Sequence, residues 1–307
     1  MSFLWSRPLR TACALIGLAA LSSTLSGCGG NKPSVDEAVT LPDPSVRAGS
    51  SASTGASTTP VSAPTTAATT PDTGKSSSPT TPGKAGGWGT LKGKVTFDGG
   101  APDQPLIVID KDKEVCGKVP VKSEKLVVDP ASKGVKFVLV YLSKPTAVNP
   151  EAKSAMATKT IVFDQKGCVF EPHVMAAMVG QTVTVKSSDP VSHNVNSKVE
   201  NNVLNQAVAP NTSTPFKLIA AARQPGLVVC DIHNWMTAFW LVLDHPYFAV
   251  TNDKGEFEIK NVPSGTQKVV VWQEGARFVT PASGKVVDIA PDAVTTEDFK
   301  IAAAQIK

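Results

Sequence analysis

Charged residues are scarce in this chain: Asp, Glu, Lys and Arg together make up 18% of 307 residues, against roughly a quarter in an ordinary soluble domain. Lys and Arg exceed Asp and Glu only by 30 to 26. The surplus is scattered, which excludes the clustered positive face that a nucleic-acid partner requires. Long apolar runs are missing as well. None approaches the ~20 residues of a membrane-spanning helix, so multi-span transporters and channels are excluded. No long segment repeats apolar residues at the helical period, and only residues 150–157 read as a short helix. There are 4 histidines and 5 cysteines, few enough for each to be weighed singly.

What is present begins with an export signal. Arg7 and Arg10 precede an apolar run from Thr11 to Leu21, and small residues lead into Leu25-Ser26-Gly27-Cys28. A basic start, a short apolar segment and a small-residue cleavage site predict a secretory signal over 1–27. Leu-Ser-Gly-Cys resembles the lipobox of bacterial lipoproteins. That resemblance implies acylation of Cys28, attachment to a membrane through it, and a place in the cell envelope; Gly29 after the cysteine implies outer-membrane sorting, facing the periplasm or the surface. Loss of 1–27 leaves 28 basic against 26 acidic residues, close to neutrality.

Between Ala48 and Gly87 all residues but Val61, Asp72, Lys75 and Lys84 are Ser, Thr, Pro, Ala or Gly. Such a tract buries too little apolar surface to offset the entropy of ordering, which predicts a disordered linker over 28–87. As a coil it spans roughly 35–40 Å, and about 120 Å in polyproline form. Its simplest use is reach.

From Trp88 onward short runs rich in Val, Ile, Thr and Phe recur: 91–97, 135–142, 181–187, 226–230, 239–243, 257–259 and 268–272. Asp98-Gly99-Gly100, Asp253-Lys254-Gly255 and Pro263-Ser264-Gly265 break them. Many short strands with turns between them predict an all-β sandwich or barrel.

Cysteine counting isolates one thiol. Cys13 leaves with the signal and Cys28 takes the lipid, so Cys116, Cys168 and Cys230 remain in an oxidising setting. Cys116 and Cys168 have only turn and charged neighbours and are expected to pair as a disulfide. Cys230 stands in Cys230-Asp231-Ile232-His233-Asn234-Trp235-Met236. A thiolate and two imidazoles with a weak axial thioether form the ligand set of a mononuclear type 1 copper. Cys230, His233 and Met236 supply three of the four. His193, in Ser192-His193-Asn194-Val195 after the strand around 181–187, is the expected second imidazole.

The stretch from Phe170 to Leu243 resembles a cupredoxin of the plastocyanin type. The motifs are Gly180-Gln181-Thr182-Val183, then His193-Asn194-Val195, then the Cys230 loop. The resemblance implies that Asn194 ties the two ligand loops together beside the thiolate. One feature departs from it: two residues separate His233 from Met236, where the family has three or four. A binuclear copper centre, which shares this spacing, needs a second cysteine in the loop, and none is there.

The wider chain resembles bacterial envelope proteins of methylamine-utilisation type, on Cys230-Asp231-Ile232-His233-Asn234-Trp235-Met236 and Pro246-Tyr247-Phe248. Asn234 stands where that group commonly has proline. The flanks, Gly93-Lys94-Val95-Thr96-Phe97-Asp98-Gly99 and Thr251-Asn252-Asp253-Lys254-Gly255-Glu256-Phe257 with Val262-Pro263-Ser264-Gly265, resemble the carboxypeptidase-regulatory, transthyretin-like sandwich, which implies carbohydrate as a possible ligand. The expected fold is therefore all-β: a cupredoxin-like Greek-key β-sandwich, residues 160–245, fused with or inserted into a second, smaller transthyretin-like sandwich contributed by 88–159 and 246–307.

The remaining candidates have structural readings. Trp235 is a shield over the loop, with an electron port as the alternative. His173 is a structural or exposed histidine, with an approach to the metal as the alternative. His245 sits in a turn and is inert; Met175 and Met178 pack in the core. The expected function is a lipid-anchored, single-copper electron carrier with a partner redox protein and no catalysis of its own. The alternative is a carbohydrate- or protein-binding sandwich in which copper is structural or absent. A nitrite-reductase-like enzyme needs three more histidines, and only His173 and His245 are left. An N-terminal-histidine copper oxygenase conflicts with a lipidated Cys28, and hydrolase chemistry has no nucleophile elbow.

Overall fold

A computed structural model describes residues 86–307. The export signal, Cys28 and the linker up to residue 85 lie outside the described residues. In chain order the elements begin with β1 (Trp88–Asp98), α1 (Lys113–Cys116), β2 (Leu139–Leu142) and α2 (Pro150–Ala157). Then come β3 (Ile161–Lys166), β4 (Val169–Glu171), β5 (Val174–Met178), β6 (Thr182–Ser187), β7 (His193–Ser197) and β8 (Leu204–Val208). They are followed by β9 (Ser213–Lys217), β10 (Gly226–Val229), β11 (Thr237–Leu243) and β12 (Phe248–Val250). The last are β13 (Glu256–Pro263), β14 (Gly265–Gln273), β15 (Arg277–Phe278), β16 (Lys285–Ile289), β17 (Val294–Thr296) and β18 (Phe299–Ala302).

These strands form two sandwiches, so the fold is all-β. In one, the sheet β5-β11-β10-β7-β8 faces the sheet β4-β3-β6-β9 across a core that includes Phe163, Phe170, Val183, Val195, Val228 and Trp240. In the other, β1 lies between β13 and β17, with β18 also on β1, and opposes the sheet β12-β2-β14-β15 with β16 on β14. Its core includes Leu91, Val140, Ile259, Val271 and Ile301. The strands of the second sandwich thus come from both sides of the segment 161–243 that builds the first.

The two sandwiches share a wall. Leu139, Tyr141, Val270 and Trp272 from β2 and β14 pack against Val174, Phe239, Leu241 and Leu243 from β5 and β11. The intervening residues of the same strands, Val140 and Val271 on one side and Ala238, Trp240 and Val242 on the other, point into the two separate cores. A sheet covered on both faces needs apolar residues at every position, which is why 238–243 reads Ala-Phe-Trp-Leu-Val-Leu without alternation.

Trp240 anchors the first sandwich. It has no exposed surface, and its ring meets Phe163 edge-on at 4.8 Å between centroids. Its indole N–H has no acceptor among the described residues. Trp240→Ala should cost about 3–5 kcal/mol by opening a cavity. Trp240→Phe should cost clearly less, because it keeps most of the ring volume while also deleting the desolvated donor. Urea denaturation midpoints of the two variants measure the difference. Equal losses would mean that the volume of the ring does not set the cost.

The first sandwich also holds two turns that matter below. Gly167 and Cys168 form the two-residue loop of the β3–β4 hairpin, both with positive φ (64° and 58°), as a type I′ turn requires. A cysteine in that region is strained unless something holds it. The carboxylate of Asp189 does so, accepting from Gly167 N at 2.7 Å and Cys168 N at 2.8 Å. Cys168 is joined to Cys116 by a disulfide, their Cα atoms 5.3 Å apart. Cys116 ends α1, so residues around 105–123 lie against the first sandwich, with Cys116, Ile109 and Val115 on its core, although they follow β1 of the second in sequence.

Candidate metal centre

Cys230 directly follows β10 and Met236 directly precedes β11. The hairpin is closed by Cys230 N–H donating to Met236 O at 3.2 Å and Met236 N–H donating to His233 O at 2.9 Å. Seven residues are thereby wound into a tight loop with Cys230 and His233 on its inner side, exposed 2% and 0%. His193 is the first residue of β7, paired with Val208, rather than a loop residue. It has no exposed surface, and β7 pairs with β10, which carries residue 193 to the Cys230 end of the sheet.

The three side chains converge. His193 Nδ1 and His233 Nδ1 are 2.9 Å apart, and Cys230 Sγ is 3.9 Å from His233 Nδ1. The ligating atoms of all three lie within 4.8 Å of one another. Cys230 is the free thiol of the described residues, and its sulfur accepts backbone N–H groups from His233 at 3.4 Å and Asn194 at 3.5 Å.

The outer nitrogens of both rings are spoken for. His193 Nε2 lies 2.9 Å from Asp189 Oδ2, and His233 Nε2 lies 2.7 Å from Asp112 Oδ2. A carboxylate accepts only, so each Nε2 carries the proton and each Nδ1 presents a lone pair. Burial pushes the His193 pKa below the usual histidine value, against the hydrogen bond to Asp189 that pulls it up, which favours the neutral ring at pH 7. Two facing lone pairs 2.9 Å apart beside a sulfur repel one another unless a cation sits among them. Two imidazoles and a thiol without bulk water form a donor set for a soft or borderline metal ion, and copper fits it.

Met236 is 1% exposed, packs in the same core as Cys230 and Trp240, and closes the loop directly before β11. Asn194 links the two loops. Its Oδ1 accepts from Asp231 N at 2.6 Å, and its Nδ2 donates to Asp231 Oδ2 at 2.8 Å. Asn196 Nδ2 donates to both oxygens of that carboxylate at 3.0 and 2.8 Å. These hydrogen bonds, Asn196 first and then Asn194, hold the Asp231 pKa below the ordinary carboxylate value. Trp235 donates its indole N–H to Cys168 O at 3.0 Å and lies 5.0 Å from the His233 ring between centroids.

The other histidines go elsewhere. His173 has Nδ1 3.1 Å from Thr237 O and Nε2 2.7 Å from Glu274 Oε2, with Glu124 3.8 Å from Nδ1. It does not join His193, Cys230 and His233 in the candidate ligand group. His245 is buried, its pKa lowered by desolvation, and Nδ1 accepts from Tyr247 N at 3.2 Å. Met175 and Met178 are buried at 4% and 1% exposure.

Sequence reasoning missed Asp112, Asp189 and Asp231. Asp189 had a local signal, lying four residues before His193 in a Pro-containing turn. Asp112 had none, being 121 residues from His233.

No family model matches the chain, and no curated protein matches it. Among solved structures, similarity extends to a purple cupredoxin from Nitrosopumilus maritimus, at 19% identity over 27% of this chain and 98% of that one, with a TM-score of 0.23. Amicyanin from Paracoccus versutus matches at 14% identity over 34% of this chain and 96% of that one, with a TM-score of 0.24. A Cu-containing nitrite reductase from Thermus scotoductus SA-01 matches at 17% identity over 32% of this chain but only 25% of its own, with a TM-score of 0.26.

Proposed function

We propose that the protein binds one copper ion through His193, Cys230, His233 and Met236 and carries single electrons, without catalysis of its own. The observation that carries this reading is the meeting of two imidazole Nδ1 atoms 2.9 Å apart and one thiol in a site closed to solvent. Copper supplies the Cu(II)/Cu(I) couple. The chain's own residues supply the rest. Asp189 and Asp112 keep the protons on the outer nitrogens, so both inner nitrogens remain available. Two N–H groups directed at the Cys230 sulfur stabilise negative charge there. The Asn194–Asp231 tie fixes the separation of β7 and the loop, so that the site changes little between two charge states. Four such donors would leave no open position for a substrate, which would suit electron transfer.

Cys28 would anchor the protein by lipid in the cell envelope, on the outer membrane, with the linker allowing reach to a redox partner protein. The flanking sandwich is then a transthyretin-like support with a possible carbohydrate ligand.

The test is addition of one equivalent of Cu(II) to the purified, metal-free protein. An intense visible absorption that saturates at one copper per chain is expected. A colourless protein would favour the reading as a binding sandwich.

A further inference from the structure

The edge of His233 that faces away from the inner nitrogens is covered by a separate piece of chain. Residues 105–123 form a loop closed at its own base, where Ser123 N–H donates to Pro105 O at 2.9 Å and Ile107 N–H to Val121 O at 2.8 Å. It joins the regular sheets through no strand; a single bridge, Leu106 to Lys122, lies within it. Leu106, Val108 and Val119 are 63%, 81% and 70% exposed, so much of the loop's own apolar surface is not used to hold it down.

Three things hold its tip. Ile109 and Val115 pack partly buried on the first sandwich. Asp112 binds His233 Nε2 at 2.7 Å. Cys116 is bonded to Cys168. Asp112 stands at the N-terminal boundary of α1, where an aspartate ordinarily caps the helix. It has φ 46° and makes no side-chain cap. Its carboxylate is turned to the histidine instead. Asp112 O accepts from Cys116 N at 2.8 Å, which couples the position of the carboxylate to that of the disulfide. Cys168, on the other side of the bond, is tied to Asp189 and Trp235. The disulfide therefore sits among the outer partners of both histidines.

We propose that residues 105–123 are a strap held shut over the candidate metal centre by the Cys116–Cys168 disulfide, and that reduction of this bond by an external dithiol opens the strap, uncovers His233 and speeds metal exchange. In that step the S–S bond breaks, Cys116 and Cys168 each gain one electron and one proton, and the dithiol becomes a disulfide. Asp112 is a positioning residue in the closed state. Only the metal-exchange clause rests on the copper reading.

The test uses the metal-free full chain. Diethyl pyrocarbonate modification is quantified at each histidine by peptide mass, with the disulfide intact, after dithiol reduction, and in C116S/C168S and D112A. His233 labelling is expected to rise at least tenfold in all three altered forms, with His193 and His245 unchanged. In the copper-loaded, ascorbate-reduced protein, release to a Cu(I) chelator should quicken by a similar factor in C116S/C168S. Two titratable new thiols with unchanged His233 labelling would overturn the strap. So would a parallel rise at all histidines, which means global unfolding. If His233 labelling rises but the chain takes up no copper, the strap stands and the copper reading fails.

Discussion

Replacing Cys230 by serine is expected to abolish the visible absorption of the copper-loaded protein while leaving it folded. The band requires a thiolate bound to the metal, and Cys230 is the free thiol of the described residues. A serine hydroxyl is a hard donor that stays protonated near neutral pH, and its shorter reach takes it away from the two N–H groups that converge on the sulfur at 3.4 and 3.5 Å. Loss of a direct ligand should exceed the ten- to hundredfold weakening that follows loss of an outer partner. The apo-protein, in contrast, should lose only about 1–2 kcal/mol, the cost of placing a small hydroxyl where a thiol was 2% exposed. A copper titration followed by absorbance, with urea denaturation of the metal-free form, separates the two effects. Retention of the colour would mean that another sulfur binds the metal, and the assignment of Cys230 would fall.

The residues of the candidate centre were legible in the sequence because their chemistry is concentrated. With 4 histidines and 5 cysteines in the chain, a Cys-x-x-His-x-x-Met run is hard to mistake for core filler. The β architecture was legible for a related reason: turn residues punctuate runs of branched and aromatic side chains. The length of the strands was less so. β13 extends over Glu256–Pro263, well beyond the apolar residues 257–259, because pairing with β1 recruits polar positions on the solvent face. His193 reads as a loop residue by composition, yet it begins a strand, since the ladder with β8 is made by backbone groups that leave no mark on residue type. Short polar strands such as β8 and β9 escaped for the same reason. Asp112 was beyond reach altogether. Nothing links it to residue 233 until the disulfide folds the chain back, and its position before α1 is that of an ordinary cap.

Asp189→Ala is expected to damage both stability and metal binding. One carboxylate, 5% exposed, accepts from Gly167 N, Cys168 N and His193 Nε2 at 2.7, 2.8 and 2.9 Å. Alanine strands three donors at a site with little access to water, each worth roughly 1–3 kcal/mol when left unpaired. It also releases the positive-φ turn that carries Cys168. Together about 3–5 kcal/mol should be lost, within the range reserved for broken buried networks. Copper affinity should fall ten- to hundredfold in addition, because nothing then keeps the His193 proton on Nε2 and away from the nitrogen that faces Cys230 and His233. Asp189→Asn separates the two roles. The amide has one oxygen to offer in place of two, so it can serve at most part of the set, and its NH₂ group must face a donor or the imidazole. If it faces His193, it donates to Nε2 and drives the ring proton onto Nδ1, so affinity should fall more than stability. Denaturation midpoints with and without copper, beside the nitrogen chemical shifts of the His193 ring, distinguish these outcomes. A loss below about 1 kcal/mol in Asp189→Ala would show that water replaces the carboxylate, and that the hairpin turn does not depend on it.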